Sequence, residues 1–411
     1  MLRAAAFRWA ARSPEEISGV SALLAVRAGQ LFDGECSFGP STVVCEGGQI
    51  VDVDTTGGPL LAHTDVLDLG DGACILPGLI DAHVHLIFDA SADVRASVHA
   101  ADDERLLAQM AQAARRALRA GITTIRDVGD RGFLALRLRV QLATSSDPGP
   151  EIIASGPPIT IPGGHCDFLG GVVDAPHKLR AAVRERADRG CELVKVMVSG
   201  GHLTPGSSPY VSQYDLDQLR LIVSEAHRLG LRTAAHVHCP GSVADAVAAG
   251  FDTLEHVSFF TADGVGADPP ILAAIVESGA VVSATVGVVP GKGRFPPEIA
   301  RRLPAVRDNW ARLHCDGVRI IPGTDAGLAP LKPHGVLPYG LVELTALGMT
   351  NLEALRAATS VAAEACGLTR RKGRLIPGAD ADLLAVCGDP MSDIQAVHDV
   401  IAVIRAGRRV R

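Results

Sequence analysis

Aromatic residues are scarce in this chain. Phe, Tyr and Trp together make up 4% of its 411 residues. A core must therefore come mainly from Ala, Val, Leu and Ile, which suits buried parallel strands covered by helices. The nine cysteines stand at 36, 45, 74, 166, 191, 239, 315, 366 and 387, and no two form a CxxC pair. Several lie in apolar runs, such as Cys74 and Cys387, and read as buried free thiols in a reducing cytoplasm. No long basic run occurs and the net charge is −7, so nucleic acid is not an expected partner. No stretch approaches the ~18 apolar residues of a transmembrane helix, so no membrane is expected either. The opening Met1-Leu-Arg-Ala-Ala-Ala-Phe-Arg-Trp-Ala-Ala-Arg is broken by arginines. It lacks the uninterrupted apolar centre of a secretion signal, and residues 1–20 read as a loosely ordered extension.

What is present is apolar bulk in quantity. Apolar residues make up 47% of the sequence, and mean hydropathy is +0.22. The length suits a barrel of about 250 residues with an accessory domain. Near the N-terminus, Leu23–Leu31, Thr42–Val53 and Asp65–Leu69 read as short strands parted by Gly and Asp clusters. Ala381–Cys387 and Val400–Gly407 have the same character at the other end. Both termini are therefore expected to share one small discontinuous β-sandwich, residues 21–74 with 368–411. The middle, 75–367, alternates strand with helix. Eight strands are placed at Ile75–His85, Thr123–Val128, Glu151–Ser155, Leu193–Ser199, Thr233–His238, Thr253–His256, Val281–Thr285 and Val318–Asp325. Helical patterns such as Asp103–Ala120, His177–Gly190, Asp215–Gly230 and Pro297–Cys315 lie between them. Eight strand–helix repeats point to an α/β fold, a (β/α)8 TIM barrel, whose catalytic groups sit at the C-terminal strand ends.

Chemically able residues fall at those ends. His83 and His85 close the first strand two positions apart, so both imidazoles share one face and can reach one metal ion. Such a pair also occurs on surfaces by chance, and the other strands decide between the readings. Lys195 lies inside an apolar run, where desolvation favours the neutral amine. A neutral amine can capture CO2 as a carbamate, an anionic ligand able to bridge two metals; a snorkelling or ion-paired lysine is the plainer reading. His236 and His256 end two consecutive strands, and Asp325 ends the eighth in a Gly-rich turn that could merely be a cap. The set His83, His85, Lys195, His236, His256 and Asp325 suits two divalent ions, Zn2+ before Mn2+, Co2+ or Fe2+. Carboxylated Lys195 and a hydroxide would bridge them.

The sequence resembles metal-dependent hydrolases of the amidohydrolase superfamily over nearly its whole length. The resemblance rests on Pro77-Gly-Leu-Ile-Asp-Ala-His-Val-His85, Val194-Lys195-Val, Ala235-His236-Val-His238, Leu254-Glu-His256 and Gly323-Thr-Asp325-Ala-Gly. Thr123-Thr-Ile-Arg-Asp, Gly163-Gly-His165, Ser199-Gly-Gly-His and Ser224-Glu-Ala-His-Arg-Leu-Gly make it most similar to the imidazolonepropionase-like and prolidase-like branch. The resemblance implies that His83, His85 and Asp325 hold the more buried metal and His236 and His256 the second. It implies a metal-bridging hydroxide that attacks an amide carbonyl, with Asp325 passing the proton to the leaving amine. His165, His238 and Tyr210 are candidates to polarise the carbonyl, with His202 behind them. It further implies a homo-oligomer.

The expected activity is hydrolysis of a dipeptide or an N-acyl amino acid. One alternative is a cyclic-amide hydrolase or deaminase of the imidazolonepropionase type; Lys195 and the cysteine at 239 argue against it. Another is a catalytically inactive assembly protein, which the six retained positions oppose. A substrate carboxylate calls for a cation, and Arg126 and Arg131 after the second strand are candidates. The loops Gly156–Gly171, Gly200–Pro209 and Val286–Pro297 are expected to shape the pocket.

Overall fold

The computed structural model describes residues 23–60, 64–173 and 175–411. The expected extension at 1–20 lies outside the described residues. Eight parallel strands form the barrel: Leu79–Val84, Ile122–Asp127, Glu151–Ala154, Leu193–Met197, Arg232–Val237, Thr253–His256, Val281–Thr285 and Ile320–Gly323. The first three pair with one another, as do the last five. A parallel bridge from Val84 to Ala326 closes the ring between the first and eighth strands. On the other side, the Glu192 amide donates to the Ala154 carbonyl (3.2 Å), and Ile159 bridges Val196. Every residue of five of these strands is buried, and the other three carry one half-buried residue each: Glu151, Arg232 and Thr285.

The covering helices begin and stack for local reasons. Asp102 accepts a hydrogen bond from the Arg105 amide and starts the helix Asp103–Arg119. Leu106, Met110, Ala113, Ala114 and Ala117 recur at helical spacing on its buried face. A capping box of Asp215 and Gln218 starts Leu216–Arg228. Gly250, at φ 84, ends Pro240–Ala249 in the left-handed conformation that glycine adopts without strain.

Both chain ends build the accessory layer. One sheet orders Gln49–Asp54, Ser41–Glu46, Leu24–Ala28 and Asp65–Asp68. The other orders Arg408–Arg409, Val400–Arg405, Leu383–Cys387, Ala73–Pro77, Gln30–Phe32 and Ser37–Phe38. Val26, Val43 and Ile50 of the first sheet share a core with Ile75, Leu383 and Ile404 of the second, making a small sandwich.

One expected element is two. The run placed as a single strand over Ile75–His85 divides at Pro77-Gly78. Ala73–Pro77 pairs antiparallel with Leu383–Cys387 in the sandwich, while Leu79–Val84 pairs with Ile122–Asp127 in the barrel. Apolar periodicity cannot mark this handover, because both halves are fully buried. Gly78 is the hinge: a Cβ there would lie 2.1 Å from the Thr123 hydroxyl oxygen.

A buried ionic knot joins the two layers. The Lys372 ammonium is 4% exposed and meets Glu151 (3.0 Å), Asp380 (2.9 Å) and Asp382 (2.5 Å). Glu151 opens the third barrel strand, whereas Asp382 precedes a sandwich strand and also pairs with Arg405. Removing the central cation would leave the buried Asp382 with Arg405 alone and the half-buried Glu151 and Asp380 with arginines only. Lys372→Met is therefore expected to lower the unfolding free energy by roughly 3–5 kcal/mol, measured by urea denaturation. A loss below ~1 kcal/mol would contradict this role.

Candidate metal centre

The strand ends converge as the barrel geometry requires. The imidazoles of His83 and His85 have centroids 5.3 Å apart. Each turns Nε2 toward Asp325, with both Nε2–Oδ1 distances at 3.7 Å. His83 also lies 5.0 Å from His256. The rings of His236, His238 and His256 stand 4.4–4.7 Å from one another. Two groups bring their donor atoms within 4.8 Å, His83–His256–Asp325 and His236–His238–His256. Either could hold a cation, and His256 belongs to both.

Lys195 rises from the fourth strand, wholly buried, and its Nζ has no hydrogen-bond partner among the described residues. Burial lowers its pKa to about 8, with the Arg126 charge acting in the same direction and Glu255 opposing. An amine so placed is a weaker base than a free lysine and more readily neutral and nucleophilic.

The imidazoles are kept neutral and are therefore available as lone-pair donors. Burial pulls His85 down to about 4. Burial and neighbouring imidazoles hold His236, His238 and His256 well below the usual range. For Asp325, burial acts to raise the pKa, but His83, His85, Lys332 and Lys195 outweigh it and keep the carboxyl below its normal value.

Supporting contacts fix each ring. His83 Nδ1 pairs with Glu255 Oε2 at 2.7 Å, which leaves Nε2 for the cluster. Glu255 Oε1 in turn accepts from Arg126 (2.8 Å) and from the Thr253 hydroxyl (2.7 Å). His85 Nδ1 pairs with the Gly129 carbonyl at 3.0 Å. His256 Nδ1 faces the Thr285 hydroxyl at 3.3 Å, and its carbonyl accepts from Trp310. Neighbours on a strand normally face opposite ways. His256 escapes that rule with φ 71, a left-handed conformation, so Glu255 and His256 both reach His83. Asp325 is left-handed too, at φ 55.

The other candidates separate by position. His165 packs its ring 4.5 Å from His236, is buried, and leaves Nδ1 without a hydrogen-bond partner among the described residues. Its loop is held by Gln213, which accepts from the His165 amide and donates to the Met197 carbonyl. His238 is stacked on Phe260 and pairs through Nδ1 with Ser258 (3.1 Å). Tyr210 stands further out: its hydroxyl donates to Glu298 and its ring meets His202, which is exposed.

Arg126 and Arg131 are not available to a substrate carboxylate. Arg126 lies within the second strand, 2% exposed, and its donors go to the Ala82 carbonyl, Thr253 and Glu255. Arg131 binds Asp103 and the carbonyls of Val98 and Ala101. Glu255 and Lys332 escaped the sequence reading. An acid next to a candidate ligand, in a strand placed at the barrel centre, was the available signal for Glu255.

The amidohydrolase family model matches residues 74–410. The chain belongs to the amidohydrolase family. This amidohydrolase is 29% identical over 371 residues to the ochratoxinase of Aspergillus niger, covering 80% of this chain and 73% of that protein. It is 29% identical over 381 residues to an imidazolonepropionase of Anaeromyxobacter sp. (strain K), covering 82% of each. Among solved structures, a Xaa-Pro dipeptidase with methionine bound in its active site superposes with a TM-score of 0.84 at 28% identity, covering 94% of this chain and 99% of that one. The amidohydrolase is accordingly a hydrolase of amide-type carbon–nitrogen bonds, with the imidazolonepropionase-like and prolidase-like branch as its kin. No helix among the described residues is long and apolar enough to cross a membrane.

Outer contacts of this kind govern how firmly histidines bind metal. Glu255→Gln is expected to weaken metal affinity about 10- to 100-fold, read by competition against a chromophoric chelator. Parental affinity in that variant would exclude the role.

Proposed function

We propose that this amidohydrolase is a binuclear enzyme that cleaves the amide bond of a dipeptide or an N-acyl amino acid, releasing an amino acid. One observation carries the reading: Lys195 Nζ, wholly buried among candidate ligands, has no hydrogen-bond partner among the described residues. A lone buried amine is costly. Attack of neutral Nζ on CO2, with loss of a proton to solvent, would form an N-carboxylate whose two oxygens share one negative charge beside the cluster. His83, His85 and Asp325 would then hold one cation and His236 and His256 the other, with the Lys195 carboxylate between them. Two divalent ions, Zn2+ on this donor mix, would supply Lewis acidity toward the carbonyl and acidify water.

The chain's own groups would manage protons and position. Asp325, kept ionised, is the base that accepts a proton from the attacking water and delivers it to the leaving nitrogen. His238 Nδ1 pairs with the Ser258 hydroxyl; in the tautomer in which that hydroxyl donates, Nε2 would carry the proton and could donate to the carbonyl oxygen. His165 offers a second polar group beside His236. Tyr210, whose hydroxyl donates to Glu298, would stand outside this inner set. The relatives' names favour the acyl–amino acid class, since a Xaa-Pro dipeptidase is among them. The presence of Lys195 weighs against the imidazolonepropionase reaction.

The test is a panel of dipeptides, N-acyl amino acids and lactams assayed with Zn2+ and bicarbonate. Turnover is expected for dipeptides or N-acyl amino acids, and Lys195→Ala should abolish it together with one equivalent of metal. Turnover of lactams, esters or phosphotriesters alone would contradict the substrate class. Full activity in Lys195→Ala would contradict the carboxylated bridge.

A further inference from the structure

Lys332 follows the eighth strand and is 4% exposed. Its ammonium reaches three neutral carbonyls: Thr324 at 2.8 Å, Thr285 at 2.9 Å and Gly287 at 3.3 Å. A buried cation on neutral acceptors is expensive to maintain. What it grips is therefore informative.

Thr324 immediately precedes Asp325, whose φ of 55 is a strained conformation for a residue other than glycine. Such strain persists only when the surroundings over-determine it. Here they do. The Asp325 amide donates to the His83 carbonyl at 2.8 Å. The Thr324 amide and hydroxyl donate to Asp81 at 3.0 and 2.6 Å. Lys332 takes the remaining group, the Thr324 carbonyl. Its own carbonyl accepts from the Gly327 amide at 2.8 Å, closing the turn.

The same ammonium crosses to the seventh strand. Thr285, whose carbonyl it binds, presents its hydroxyl to His256 Nδ1. Gly287, the third acceptor, is held from its other side by Glu343, which accepts from its amide at 2.8 Å. One cation thus ties the backbone that carries Asp325 to the backbone that orients His256.

We infer that Lys332 is a positioning residue for the hydrolysis proposed above, clamping the seventh and eighth strand ends so that Asp325 and His256 face each other in one fixed arrangement. The inference rests on that reading for its catalytic consequence, but not for its geometric one.

The experiment compares the parent with Lys332→Met and Lys332→Gln, each checked by circular dichroism and thermal melting. All three are loaded with Co2+ and compared by visible absorption, metal stoichiometry, and kcat and KM on the best amide of the panel. Parental stoichiometry with altered ligand-field bands is expected. The kcat should fall about 10- to 100-fold with KM unchanged, and Gln should recover part of the loss because its amide still donates. A folded variant with parental bands and parental kcat overturns the inference. So does a loss confined to melting temperature. If Lys332→Met fails to fold, Lys332→Gln decides alone. A parent that turns over no amide sinks the hydrolysis reading, while the Co2+ bands still decide the role of Lys332. A parent that binds no Co2+ overturns both.

Discussion

A primary amine buried without a partner governs how this site must be understood. The chain has only five lysines, and three of them, Lys195, Lys332 and Lys372, are buried. Each meets the cost of burial differently. Lys372 is surrounded by carboxylates and locks barrel to sandwich. Lys332 is satisfied by three carbonyls and ties two strand ends together. Lys195 has nothing. In a protein whose other buried lysines are so fully satisfied, the bare amine at the centre of the histidines calls for a chemical partner, and CO2 with metal is the one the proposal supplies.

The rest of the centre depends on rigidity rather than on the ligand types alone. Arg126, Thr253 and Glu255 form a buried chain that ends on His83 Nδ1. Gly129, Thr285 and Ser258 perform the same office for His85, His256 and His238. His256 and Asp325 both occupy left-handed backbone conformations, which allows their side chains to leave the ordinary strand alternation. Strain of this kind is tolerated because the surrounding hydrogen bonds leave no alternative.

Much of this was legible in the sequence, for identifiable reasons. Period and punctuation marked eight strands, since short apolar runs followed by helical spacing recur along the middle of the chain. The ligand-type residues could be placed because they close those runs. The division at Pro77-Gly78 was not legible, because two consecutive strands in different sheets are both fully buried and read as one apolar run. Arg126 was misjudged for a related reason. A strand arginine looks the same in sequence whether it faces solvent or a buried acid, and only the pairing with Glu255 across the barrel distinguishes them. Lys332 depended on contacts with Thr285 and Gly287, which lie 47 and 45 residues away.

The most direct measurement is anomalous diffraction at the zinc edge from crystals grown with Zn2+ and bicarbonate. The account expects two zinc peaks on either side of Lys195, with planar carboxylate density on Nζ. His83, His85 and Asp325 should surround one peak, and His236 and His256 the other. A single peak, or zinc beside an unmodified Lys195 amine, would contradict it.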